Sequence, residues 1–324
     1  MHKLELDCAE ETRRIEEFLR HGVARTLNRR GAVLGVSGGV DSAVCAALAA
    51  RALGPTRVMA LLMPEIESSP DSRKRGEQLC QQLGIAYTVE DITPGLAAVR
   101  SYTRRDEAIR QLFPDYGPGW RSKIALAGNL GDGSGNGGGI TWFNLVVQSP
   151  EGEMMTRRMP VQVYNQVVAA NNWKQRLRKG FEYYHAERLN YAVIGTPNRL
   201  EYALGFFVRG GDGLADIKPI AHLYKTQVYA LAEYLDIPEA IRSQPPSTDT
   251  YSLPQTQEEF YFTLPFSDAD QLLHAIDSGG DPLALGDAIG LSQAQVAQLC
   301  RDFAGKRRQA ERTLRNAIIL EDAT

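Results

Sequence analysis

The stretch Ser37-Gly-Gly-Val-Asp-Ser42 is the chain's most chemically loaded segment. Gly38 and Gly39 let the backbone turn sharply and approach a ligand without a Cβ in the way. Ser37 and Ser42 add hydroxyls, and Val40 carries the chain into a helix whose free N–H groups and positive dipole end favour an anion. The combination predicts an oxyanion cradle suited to pyrophosphate. Asp41 inside such a cradle would repel the anion unless a cation were present, so it reads as a Mg²⁺ ligand; Mg²⁺ takes one or two carboxylates plus phosphate oxygens. The loop lacks the G-x-x-x-x-G-K-[ST] spacing of the Walker motif.

The flanking elements must place that cradle. Ala32–Val36 reads as a buried strand and 43–53 as a helix, with a further strand at 57–63, a helix at 72–83 and a strand at 86–89. An amphipathic helix over 9–30 precedes them. Strands alternating with helices predict an α/β fold with a doubly wound, mainly parallel sheet. Ligands of such sheets bind at the carboxyl ends of the strands. Residues 113–160 break the rhythm. They contain seven glycines between Gly128 and Gly139, with strands expected at 141–148 and 154–159, and read as an insertion. The α/β pattern resumes with a long helical region at 161–189, expected to break near Asn171-Asn172, a strand at 191–195 and a helix at 224–234. Residues 268–318 read as a helical C-terminal region, with Ser292 capping one helix. The whole, 1–324, reads as one domain.

Composition narrows the function. A net charge of −3 argues against a dedicated nucleic-acid binder. No run of about 18 apolar residues suggests a membrane span, and no apolar leader follows Met1. Cys8, Cys45, Cys80 and Cys300 are scattered, which suits a reducing cytoplasm better than a disulfide scaffold. The five histidines show no paired metal spacing.

The loop resembles the PP-loop of the N-type ATP pyrophosphatases, which cleave ATP between its α- and β-phosphates. Ordered segments further along resemble the NAD synthase family. Tyr191-Ala-Val-Ile-Gly-Thr-Pro-Asn-Arg-Leu-Glu201 resembles its L-G-T-x-N-x-x-E stretch, and Val208-Arg-Gly-Gly-Asp-Gly213 its K-Y-G-D-G. Leu223-Tyr-Lys-Thr-Gln-Val228, Pro245-Pro-Ser-Thr-Asp249, Asn172-Trp-Lys-Gln-Arg-Leu-Arg178 and Lys306-Arg-Arg-Gln-Ala310 match other family segments. Three departures stand out: the 113–160 insertion, the segment Gln255–Phe262 in place of D-E-x-x-L-G, and a missing proline after Lys306-Arg-Arg.

The resemblance implies a sheet of the adenine-nucleotide alpha-hydrolase type and an ammonia-dependent NAD synthase. Such an enzyme adenylates the nicotinate carboxylate of deamido-NAD with ATP and amidates it, releasing AMP and pyrophosphate. It implies ATP contacts at Ser37, Gly38, Gly39, Val40, Asp41, Ser42, Met63, Thr196, Lys225 and Ser247. Glu201 becomes the second Mg²⁺ carboxylate beside Asp41. Asp212, Lys225, Ser37 and Ser42 take the catalytic roles. Asn172, Lys174, Arg176, Arg178, Asp212 and Lys306 would hold the acceptor, the cations on its phosphates. On a helix Lys174 and Arg178 share one face, and Asn172 and Arg176 another. The chain has no room for an amidase domain, so free ammonia or a separate glutaminase would supply nitrogen. The resemblance also implies a homodimer, and Tyr251–Gln257 reads as a closing loop. The competing readings are a paralogue amidating another carboxylate and a non-catalytic nucleotide sensor.

Overall fold

A computed structural model of the chain describes residues 4–127, 142–246 and 250–320. The expected glycine-rich run 128–139, Ser247 and Asp249 lie outside the described residues.

The first half comprises α1 (Cys8–His21), β1 (Ala32–Gly35), α2 (Val40–Leu53), β2 (Val58–Leu62), α3 (Pro70–Leu83), β3 (Ala86–Val89), α4 (Thr93–Ala98) and α5 (Ser101–Arg110). Then come β4 (Arg121–Ala127), β5 (Trp142–Gln148), β6 (Met154–Arg158), α6 (Val161–Leu189), β7 (Ala192–Val193), α7 (Arg199–Leu204), α8 (Lys225–Tyr234), α9 (Glu239–Arg242), α10 (Phe266–Asp277) and α11 (Gln293–Leu314).

The main sheet is parallel in the order β3-β2-β1-β7. Its side chains alternate as a strand's must. Ala32 and Leu34 enter the core shared with α1, α2 and α8, while Val33 enters the one shared with α4 and α6. The sheet therefore has helices on both faces, the doubly wound α/β arrangement. Its strands are short apolar runs because both faces are covered. The chain moves from β1 outward to β2 and β3, then returns late to place β7 on β1's other side. The gap between the loops following β1 and β7 is thus a topological switch point, where a ligand crevice opens.

Three boundaries differ from the sequence-based expectation. α1 stops at His21 and a wider π turn, Gly22–Thr26, finishes the segment. α2 begins at Val40, so Asp41 and Ser42 belong to its first turn rather than to the loop. α6 runs unbroken for 29 residues through Asn171-Asn172. Asn171 is buried there, and α5 packs alongside with the Ser101 hydroxyl donating to the Ala170 carbonyl at 2.7 Å. Tertiary burial overrides the modest helix propensity of asparagine.

Within the irregular middle, β4, β5 and β6 form a separate antiparallel sheet. It has its own small core, in which Ile124, Leu145 and Val147 pack on Val163 and Val167 of α6. The C-terminal helices α10 and α11 gather a further core with α7, and Ser292 caps α11 as expected.

Candidate active site

The loop after β1 is held by its own side chains. Gly38 sits at φ +81°, and a Cβ there would lie 2.5 Å from the Ser72 carbonyl oxygen. Only glycine satisfies both the left-handed backbone and that approach. The Ser42 hydroxyl donates to the Gly39 carbonyl at 3.0 Å, accepts from the Ser37 N–H at 3.2 Å and lies 3.2 Å from the Ser37 hydroxyl. In this structure both serines brace the loop. A cation absent from the sequence reading joins them: Arg75 on α3 donates to the Gly38 carbonyl at 3.3 Å.

Asp41, at the second position of α2, sits where a helix dipole favours a carboxylate. Lys225, fully buried at the start of α8, forms an ion pair with it. Asp270 of α10 holds that helix end, accepting from the N–H groups of Lys225 at 3.2 Å and Thr226 at 2.8 Å. Asn198 donates to the other oxygen of Asp41 at 3.1 Å. It also forms a reciprocal capping box with Glu201, so Asn198 fixes both carboxylates. The N-x-x-E spacing was a legible signal for this role.

Burial first, and the neighbouring Asp41 charge second, push Glu201 up to about 8, with Lys225 opposing. Burial alone would depress Lys225, but Asp41 and Glu201 outweigh it and raise the ammonium. Lys225 balances Asp41, and Glu201 keeps its proton near neutral pH until a further cation beside it favours the carboxylate. Among the described residues no three His, Cys, Asp or Glu side chains gather as a metal cage. A pair of carboxylates beside an anion cradle is a donor set that fits Mg²⁺ completed by phosphate oxygens.

These groups open onto one cavity of about 1370 Å³ at the carboxyl ends of β1, β2 and β7. Val40, Met63, Thr196, Glu201, Asp212, Lys225 and Lys306 all line it. Lys306 is held by the Tyr261 carbonyl at 2.6 Å and by Asp302 at 2.7 Å. Burial raises the Asp212 carboxyl, against the Val208 N–H, Lys179 and Arg178.

α6 forms a long wall. Its cavity-facing residues include Val168, Asn171, Asn172, Gln175, Arg178, Lys179 and Glu182, at the spacing of a single helix face. Asn172 and Arg178 lie on that stripe. Lys174 and Arg176 do not, since each is rotated by roughly a quarter turn or more from its centre. The expectation for Lys174 is corrected. Its ammonium is buried, donating to Glu65 at 2.9 Å, Glu67 at 2.7 Å and the Thr250 carbonyl at 3.0 Å, and is spent inside the protein. Arg176 donates to the Arg209 carbonyl at 3.3 Å and does not line the cavity. Unforeseen on the stripe is a buried ion pair, Lys179 to Glu182 at 2.6 Å. Tyr251–Gln257, expected as a closing loop, is tied to β4 instead. Leu253 N–H donates to the Ser122 carbonyl at 3.2 Å, and Gln255 donates to the Ile124 carbonyl at 2.6 Å.

The family model for NAD synthase matches residues 11–114 and 149–310, a match that leaves out β4 and β5 and includes β6. The NH(3)-dependent NAD(+) synthetase of Rhizobium meliloti is 54% identical over 305 residues, covering 94% of this chain and 90% of that protein. Two solved structures share the fold. One is an NMN synthetase from Francisella tularensis, with a TM-score of 0.64 and 22% identity, covering 97% of this chain and 99% of its own. The other is the NH3-dependent NAD synthetase from Campylobacter jejuni, with a TM-score of 0.62 and 23% identity, covering 97% and 100%. A loop, a capped carboxylate pair and a buried lysine at the switch point of a parallel sheet, with more than half the residues shared with a named synthetase, place this chain in the NAD synthase family.

Proposed function

We propose that the chain is an ammonia-dependent NAD synthetase, a ligase that joins ammonia to the nicotinate carboxylate of deamido-NAD at the expense of ATP. The observation that carries the reading is the Asp41–Lys225–Glu201 cluster at the mouth of the Ser37–Ser42 loop. A carboxylate is a poor acyl donor, because its leaving group would be oxide. Its oxygen attacks the α-phosphorus of ATP, the bond to the bridging oxygen breaks, and pyrophosphate leaves. Ammonia then attacks the acyl carbon, expels AMP and gives up a proton.

The residues divide that work. The loop amides and the start of α2 bind phosphate oxygens, and Lys225 opposes the charge growing on the departing pyrophosphate. Asp41 and Glu201 would hold Mg²⁺, which when bound supplies Lewis-acid neutralisation of phosphate charge. Met63 and Thr196 border the nucleotide, and Ser247 is assigned to it by resemblance. Asn172, Arg178, Asp212 and Lys306 line the same cavity and are assigned to the acceptor, and by resemblance Asp212 would take the proton from incoming ammonia.

We further read 1–324 as one domain with an insertion at 113–160, working as a cytoplasmic homodimer on free ammonia or ammonia from a separate glutaminase. Among the described residues no helix is long and apolar enough to cross a membrane. Pyrophosphate release measured with deamido-NAD, then with other carboxylic acids, tests the assignment. Release should require deamido-NAD and vanish in Asp41→Ala. Release that follows a different acid equally well would move the chain to the paralogue reading. Light scattering at micromolar concentration tests the dimer, and a monomeric mass would contradict it.

A further inference from the structure

Among the described residues, one cation beside the Ser37–Ser42 loop has no part in the reaction as set out above: Arg75. It is half-buried on α3, and its place follows from its neighbour Gly76. A Cβ on Gly76 would stand 2.7 Å from a methyl carbon of Leu62 and 3.5 Å from one of Val36. Glycine costs about 1 kcal/mol in a helix interior, and here it lets α3 lie directly on the ends of β1 and β2. The first turn of α3 then touches the loop, with the Ser72 carbonyl against Gly38.

A guanidinium presents its N–H donors in a planar fork. Arg75 Nε donates to the Gly38 carbonyl at 3.3 Å, and Nη2 donates to the Ser72 hydroxyl at 3.1 Å. Both acceptors are neutral. Its neighbours Arg73 and Lys74 are paired with Glu77 and Asp71, whereas among the described residues no carboxylate pairs with Arg75. Both N–H groups on Nη1 are left without a partner among the described residues, and the residue lines the cavity. The other cation at the loop is already balanced, since Lys225 pairs with Asp41. The triphosphate of ATP carries more negative charge than that pair and one Mg²⁺ offset. The excess moves onto the two outer phosphates as their bond to the α-phosphorus breaks. A cation fixed in advance at that position acts on charge that grows in the transition state.

We propose that Arg75 is a catalytic residue of the adenylation step, its free guanidinium edge holding the β- and γ-phosphates of ATP and stabilising pyrophosphate as it leaves. This rests on the amide-forming reading above. The acceptor's carboxylate oxygen bonds to the α-phosphorus. The bond from that phosphorus to the bridging oxygen breaks, and its electron pair passes to pyrophosphate. Arg75 donates hydrogen bonds to that leaving group and transfers no proton, because a guanidinium stays charged at any working pH. Attack of ammonia on the acyl-adenylate expels AMP instead and makes no use of Arg75.

The test separates the two half-reactions in wild type, Arg75→Lys and Arg75→Gln. Single-turnover mixing of protein, ATP, Mg²⁺ and deamido-NAD without ammonium gives the rate of pyrophosphate formation. Ammonium added afterwards gives the rate of amidation. Arg75 faces the cavity and donates only to neutral acceptors, so both variants should melt as wild type does. Arg75→Gln keeps a donor for the Gly38 carbonyl but no charge. It should slow pyrophosphate formation about a hundredfold while changing amidation less than about twofold. Inhibition by added pyrophosphate should weaken roughly tenfold in the same variant. Arg75→Lys keeps the charge without the fork and should recover about tenfold of the lost rate. Recovery by glutamine rather than lysine would make Arg75 a brace for the loop alone and overturn the proposal. So would unchanged pyrophosphate formation in folded Arg75→Gln, or an equal slowing of amidation. If wild type forms no pyrophosphate with deamido-NAD, the amide-forming reading itself fails and the role of Arg75 falls with it. A wild type that forms it, matched by both variants, defeats this proposal alone.

Discussion

Replacing Glu201 by glutamine sets function against stability. Buried beside Asp41, the carboxyl is pushed from its ordinary value of 4.5 up to about 8. Between those values the folded, metal-free protein holds a proton that the unfolded chain has released. The unfolded state then binds fewer protons, so stability falls as pH rises, by about 1.4 kcal/mol per unit. Between pH 5.5 and 8 the loss from this one group is about 3 kcal/mol. An amide does not ionise and escapes it. The local hydrogen bonds also survive the change. Asn198 N–H and Gln257 Nε2 donate to the two carboxylate oxygens, each at 3.1 Å, while Gln257 Oε1 is buried with no partner. Turning the Gln257 amide over offers that oxygen to the new NH₂ and leaves the new carbonyl to Asn198. Urea melts in EDTA should therefore show the wild type losing about 3 kcal/mol between pH 5.5 and 8 relative to Glu201→Gln, with the variant the more stable at pH 8. Pyrophosphate release by the variant should fall at least about a hundredfold, as when a transition-state charge partner is lost. A variant less stable than wild type at pH 8, or one with the same pH slope, would refute the electrostatic account. Near-wild-type turnover would refute the role given to the carboxylate.

Other expectations follow from the same geometry. Lys174→Met removes what is, among the described residues, the only cation beside buried Glu65, which keeps the Tyr102 hydroxyl while Glu67 keeps Arg105, and should cost about 3 kcal/mol in urea melts, with little change in the KM for the acceptor. Arg178→Ala, on the cavity stripe, should instead raise that KM roughly tenfold with an ordinary melt. Gly38→Ala places a side chain at φ +81° against the Ser72 carbonyl. Strain of about 1–2 kcal/mol in the loop should appear chiefly as a higher KM for ATP in steady-state kinetics. Lys225→Met leaves Asp41 and Glu201 facing each other uncompensated, and should reduce pyrophosphate release by about a thousandfold in single-turnover measurements.

The parts of this site that could be read in advance are those whose reasons are local. Two glycines and two serines between an apolar strand and a helix announce an anion loop wherever they occur, and N-x-x-E announces a capped helix. The alternation of strands and helices carried the doubly wound fold in the same way. What could not be read depends on distant partners. Lys174 looks like any lysine on an amphipathic helix, because Glu65 and Glu67 that bury it lie more than a hundred residues earlier. Spacing shows which α6 residues share a face but not which face meets the cavity, so Arg178 could be separated from Arg176 only once β1 and β7 had packed. Arg75 reaches the loop from a neighbouring helix, with no motif around it. Two strands of the antiparallel sheet, β5 and β6, were legible in the sequence and β4 was not, while the sheet's part in the cavity wall depends on Phe143 meeting Tyr164 across two elements.

The central claim, that this cavity adenylates a carboxylate and then amidates it, is tested most directly by following oxygen. Deamido-NAD carrying ¹⁸O in its nicotinate carboxylate is incubated with the protein, ATP, Mg²⁺ and ammonium, and the products are weighed by mass spectrometry. Adenylation through the Ser37–Ser42 loop predicts one ¹⁸O in each AMP, with NAD, AMP and pyrophosphate formed in equal amounts. Formation of ADP and labelled phosphate, or AMP without label, would contradict it.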